Sequence, residues 1–83
     1  MKHQSHPSIV ARLKRADGHL RSLIAMIEEG RPCLELAQQL HAVEKAVANA
    51  KRELIHDHIE HCLEDGKHRR GSLAEIKDLT KYL

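Results

Sequence analysis

The chain has 83 residues, with no Phe, no Trp and a single Tyr82, and a formal net charge of only +2 when its histidines are neutral. So little bulky apolar volume does not support a large self-sufficient core, and no apolar run is long enough to span a bilayer. The first residues, Met1 to Pro7, are polar and histidine-containing rather than a secretion signal, so the expected compartment is the cytoplasm, where two cysteines read as thiols for metal or redox chemistry rather than as a bridge.

In chain order, Ile9, Leu13, Ala16, Leu20, Leu23 and Ile27 alternate four and three apart, the rhythm of a helix that packs along one stripe. Ser5 or His6 ahead of Pro7 marks its start and Gly30 its finish, predicting a first helix of about 22 residues. The link Gly30-Arg31-Pro32 is short enough to fold the next helix back into an antiparallel hairpin. Between Pro32 and Gly66 there is neither glycine nor proline, and Leu36, Leu40, Val43, Val47, Ala50 and Leu54 continue the same rhythm. The polar run Lys67-His68-Arg69-Arg70-Gly71 reads as a loop. Ser72 with Glu75 then reads as a capping box for a short last helix carrying Leu73, Ile76, Leu79 and Leu83. The expected fold class is all-α, a single domain over 1–83 with two long helices and one short, residues 1–6 forming a flexible N-terminal segment. A lone chain of this shape leaves one face of the second helix exposed, and an antiparallel four-helix-bundle dimer is the expected remedy.

His58 and Cys62 are four apart, so on a helix they face the same way and suit one soft metal ion. Cys33 lies roughly 37 Å from His58 along one rod, at about 1.5 Å per residue, against a metal–ligand bond of about 2 Å. A symmetric antiparallel partner removes the difficulty. With the twofold axis near Ala46, Val47 and Ala48, Cys33 of one chain meets His58 and Cys62 of the other, giving two identical sites per dimer.

The small net charge makes distribution more informative than total. Arg12, Lys14, Arg15 and Arg21 crowd the first helix, Lys45, Lys51 and Arg52 lie on the second, and acids gather at Glu28, Glu29, Glu60, Glu64 and Asp65. Repeated by symmetry, the basic clusters would make a phosphate-tracking surface; a solvated face on an amphipathic helix fits the composition equally well.

The stretch from Asn49 to Cys62, Asn-Ala-Lys-Arg-Glu-Leu-Ile-His-Asp-His-Ile-Glu-His-Cys, resembles the CsoR/RcnR family of bacterial metal-sensing repressors. So do Arg12-Leu13-Lys14-Arg15 before Gly18-His19-Leu20, Cys33, and Gln38-Gln39-Leu40-His41-Ala42-Val43. The resemblance covers nearly the whole chain. It implies a dimer-of-dimers tetramer that binds operator DNA when metal-free and releases it on binding metal, without a helix-turn-helix, controlling metal efflux or resistance genes. It puts Arg12 and Arg52 at operator-binding positions, with Lys14, Arg15 and Lys51 as neighbours. It also implies that Cys33, His58 and Cys62 bind Cu(I) in the copper branch. The nickel and cobalt branch adds nitrogen donors from near the amino terminus, for which His3 and His6 are the candidates, a few residues out of register. Copper sensors of the family carry a tyrosine before the first cysteine and a carboxylate on the last helix; here Pro32 stands at the first position and Asp78 falls near the second as an outer-shell candidate. The Gly-Arg-Pro-Cys-Leu junction resembles the nickel branch. Cu(I) and Ni(II) are therefore both kept as effectors, with Co(II) behind them.

Other readings remain. Cys33 and Cys62 suit a thiol or persulfide sensor, although that chemistry does not need His58. A formaldehyde sensor lacks its expected second-position proline. A cytoplasmic metal buffer or a purely structural helical oligomer would bind no DNA. His56, His61 and His68 read as solvent-facing or acid-bonded, and His19 and His41 as packing or capping residues. No catalytic triad, phosphate-cradling glycine loop or paired acids appears, so neither an enzyme nor a small-molecule substrate is expected.

Overall fold

The computed structural model describes the backbone of residues 6–64 and 70–83, and the side chains of residues 6–61 and 73–83. Two long helices, α1 (His6–Glu28) and α2 (Cys33–Glu64), are followed by a short helix, α3 (Arg70–Leu79), and a 3-10 turn over Thr80–Tyr82. None of the described helices is long and apolar enough to cross a membrane.

The turn between the long helices is built from local chemistry. Gly30 has a φ of 77°, a left-handed conformation that favours glycine because it has no Cβ. The Arg31 amide donates to the Met26 carbonyl at 3.1 Å and the Gly30 amide to the Ile27 carbonyl at 3.0 Å. These two bonds form a Schellman motif and satisfy carbonyls that the end of α1 would leave open. One residue later the Pro32 carbonyl accepts from the Leu36 amide at 3.1 Å. Pro32 thus stands just ahead of α2, and Cys33 is the helix's first residue. At the other end of α1, Pro7 sits in the first turn, where a missing N–H costs nothing.

α1 and α2 run antiparallel, tied by the Arg12–Glu53 ion pair at 2.8 Å and by a 2.5 Å hydrogen bond between His19 Nε2 and Gln39 Oε1. The core between them is thin. Ile9, Ala16 and Leu23, one heptad apart on α1, pack with Val43, Ala50 and Ile55 of α2. The other half of each predicted stripe stays open: Leu13, Leu20 and Ile27 on α1, and Leu40, Val47 and Leu54 on α2, are exposed.

Shape explains the split. The chain measures 53 × 23 × 13 Å with a radius of gyration of 17.0 Å, against about 12 Å for a compact chain of this length. A 13 Å thickness is one layer of helices, whereas stable domains stack at least two. Covering the six half-exposed stripe residues would contribute on the order of 5 kcal/mol per protomer.

The last helix departs from expectation at its start. Arg70 and Gly71, read as loop, are helical, so Ser72 lies inside α3 rather than ahead of it. Glu75, the other half of the expected capping box, instead has its carboxylate beside His58 of α2. α1 likewise opens at His6, the last residue of the segment expected to lie outside it. Met1 to Ser5, with His3, and the expected loop residues Lys67, His68 and Arg69 lie outside the described residues, as does Gly66.

Candidate metal centre and basic groove

Cys33 is a free, exposed thiol at the first position of α2. The Arg31 guanidinium bonds the Glu35 carboxylate at 2.5 Å across that turn, and the carboxylate also suits the positive end of the helix dipole. His58 lies far along the same helix and is mostly buried. Its Nε2 is 3.2 Å from Glu75 Oε1 of α3. A carboxylate in that position helps fix an imidazole's orientation, as it does for metal-binding histidines. Cys62 follows one turn later in the α2 backbone, with its side chain outside the described residues.

The protomer therefore keeps the two halves of the predicted donor set apart. Cys33 and His58 sit on one unbroken helix, roughly 37 Å from each other at about 1.5 Å per residue. Among the described residues no group of three or more His, Cys, Asp or Glu side chains is assembled for a metal ion. The donor chemistry nevertheless fits a soft ion, because an exposed thiol and a carboxylate-held imidazole are ordinary ligands.

The carboxylate beside His58 is Glu75, not Asp78, which pairs instead with Lys81 at 3.3 Å. The two acids are three apart on one helix, so the sequence narrows the choice to a face. The register of α3 against α2 decides between them. His6, the described member of the amino-terminal pair, is half-buried in the first turn of α1.

The expected DNA-contacting residues divide in two. Arg12 and Arg15 of α1 line a shallow groove of about 310 Å³ with His19 and Asn49. Arg12, Asn49 and Arg52 continue into an adjoining groove of about 490 Å³, whose wall also carries Glu53, Asp57 and Glu60. Lys14 and Lys51 are exposed and line neither groove. Helical geometry accounts for this, since Lys14 lies two residues, about 200°, around α1 from Arg12. The first groove thus has two arginines and no acid, while in the second three carboxylates oppose two arginines. Glu53 was not singled out from the sequence, and only the pairing register of α1 on α2 reveals it.

The comparisons with known proteins agree with this architecture. The pattern of the metal-sensitive transcriptional repressor family matches residues 5–83. The copper-sensing transcriptional repressor CsoR of Bacillus subtilis is 39% identical over 76 residues, covering 88% of this chain and 75% of its own. The CsoR of Mycobacterium ulcerans is 35% identical over 75 residues, covering 86% of this chain; the chain spans 63% of that relative's length. Among solved structures, the nickel-responsive transcriptional regulator InrS superposes with a TM-score of 0.83 at 31% identity, covering 100% of this chain and 98% of that one. The matched proteins are regulators rather than enzymes. With the match running from residue 5 to the last residue, the chain belongs to the CsoR/RcnR family of metal-sensitive transcriptional repressors.

Proposed function

We propose that this repressor holds operator DNA when metal-free and releases it on binding Cu(I) or Ni(II) at a site made by Cys33 of one protomer and His58 with Cys62 of the next. The observation that carries the reading is the exposed apolar line on α2. Leu40 and Leu54 lie one heptad to either side of Val47, and all three are exposed. A twofold axis at Val47 would cover that line with a second copy of itself. The same axis takes Cys33, two heptads before Val47, to the level of His61, two heptads after it, between His58 and Cys62. Burial of the apolar line and completion of the donor set therefore ask for one and the same axis.

A bound ion would draw thiolates and an imidazole from two chains into one coordination sphere. The protein's own contribution is to hold His58 through Glu75, which links the donor on α2 to α3. Arg12, Arg15 and Arg52 supply the groove for phosphate, while exposed Lys14 and Lys51, outside the groove, add positive charge to the same two helices. Pairing two dimers into a tetramer would repeat the surface along the duplex, and action on DNA puts the protein in the cytoplasm. A coupling of about 1–3 kcal/mol between the two sites suffices for a 5–150-fold change in operator affinity.

The choice of ion turns on nitrogen. Cys33, His58 and Cys62 would offer Cu(I) two thiolates and an imidazole, whereas Ni(II) asks for further donors, which His6 and His3 would supply. X-ray absorption on the Cu(I)- and Ni(II)-loaded protein separates them: two sulfurs and one nitrogen around copper support a copper sensor, and a higher-coordinate nickel site lost on His3→Ala and His6→Ala supports a nickel sensor. Gel-shift titrations test the division of labour. Cys33→Ala and His58→Ala proteins are expected to bind DNA but not to release it with metal. Arg12→Ala and Arg52→Ala proteins are expected to bind metal and to hold DNA weakly. Release driven by an oxidant and indifferent to His58→Ala would favour the thiol-sensor reading instead.

A further inference from the structure

Arg12 is the charged residue shared by both grooves, and it is already engaged. Its guanidinium lies 2.8 Å from Glu53 Oε2, an oxygen shut off from solvent, and the contact is a Coulombic pairing rather than an aligned hydrogen bond. The Arg12 side chain remains about half exposed, at 46%. Arg12 is therefore paired with a carboxylate oxygen closed to solvent while it also lines the open groove. A phosphate is the better partner for a planar guanidinium, because it accepts bidentate bonds and releases counterions from the duplex. Moving Arg12 out to a phosphate, however, would leave that oxygen of Glu53 without its cation, with no water reaching it in return. The neighbouring acids Asp57 and Glu60 line the same groove and add to the negative field that draws Arg12 inward.

We propose that Glu53 is an internal competitor for the DNA phosphate: it holds the Arg12 guanidinium in the DNA-free protein, and operator binding must take Arg12 away from it. The inference rests on the operator-binding reading of this face and adds an element that sets the affinity of that face. Glu53 acts through Arg12, so it is a positioning residue. Its effect should disappear when Arg12 is absent, whereas simple repulsion between an acid and the duplex would persist.

The test is a double-mutant cycle on metal-free full-length protein, using wild type, Glu53→Gln, Arg12→Ala and the double variant. The probe is the duplex that wild-type protein enriches from a random-sequence pool, titrated by fluorescence anisotropy over a range of salt. Glu53→Gln is expected to tighten binding roughly three- to tenfold, and to less than about twofold in the Arg12→Ala background. Glu53→Asp, which keeps the charge but draws the carboxylate back from Arg12, should give an intermediate gain and guards against a folding defect peculiar to the glutamine. Equal tightening in both Arg12 backgrounds, or none in either, overturns the proposal while leaving operator binding intact. Enrichment of no duplex at all overturns the operator reading and the inference with it.

Discussion

The two halves of the apolar stripe on α1 use the same residue types at the same spacing and meet opposite fates. Ile9, Ala16 and Leu23 are buried against α2, with Leu23 only 1% exposed, while Leu13, Leu20 and Ile27 face outward, with Leu20 at 40%. Their counterparts on α2 divide in the same way, Val43 and Ala50 inside and Leu40, Val47 and Leu54 outside. In this hairpin one line of each heptad seam is buried against the other helix and the second line is left exposed. The second line is the surface that a second hairpin would cover, so the difference between the lines separates what folds the protomer from what builds the assembly.

Substitutions on the two lines should have different consequences. The largest effect is expected for Val47→Glu, which would set two carboxylates facing each other at the proposed axis. A buried unpaired charge costs about 3–5 kcal/mol, so sedimentation should show protomers where wild type is assembled; an unchanged mass would put the interface elsewhere. Next is Leu23→Ala on the inner line, expected to lower stability to urea by about 2–5 kcal/mol without changing the mass of the folded protein. Leu20→Ala on the outer line is the smallest. It should cost about 1 kcal/mol, measured as weaker association, and a loss as large as that of Leu23→Ala would mean that the two lines are not distinct.

The sequence made the helices legible because their punctuation is local. Gly30 and Pro32 announce the turn between α1 and α2 through a left-handed φ and a missing amide, and both act as those residues must. It did not distinguish the inner from the outer line, since periodicity records that a residue is covered and not by what. Three features of the candidate sites were hidden for a related reason. That Glu75 rather than Asp78 meets His58, that Glu53 holds Arg12, and that Lys14 and Lys51 stand apart from the groove all depend on how one helix is placed against another. Cys33, His58 and Cys62 suggest a proposed ligand set by residue type alone, and the separation of Cys33 from His58 along one rod asks for a second chain to complete it.

In the proposed assembly each metal site borrows Cys33 from one protomer and His58 with Cys62 from its neighbour. Complementation tests it most directly. Cys33→Ala and His58→Ala proteins, each devoid of a complete site, are unfolded together, refolded as an equal mixture and titrated with Cu(I) against a competing chelator. If chains associate at random, half the dimers are mixed and each of those regains one intact site, so the mixture should recover about a quarter of the wild-type tight sites. A mixture that binds no more tightly than its separate components, although its chains have exchanged, would contradict the account.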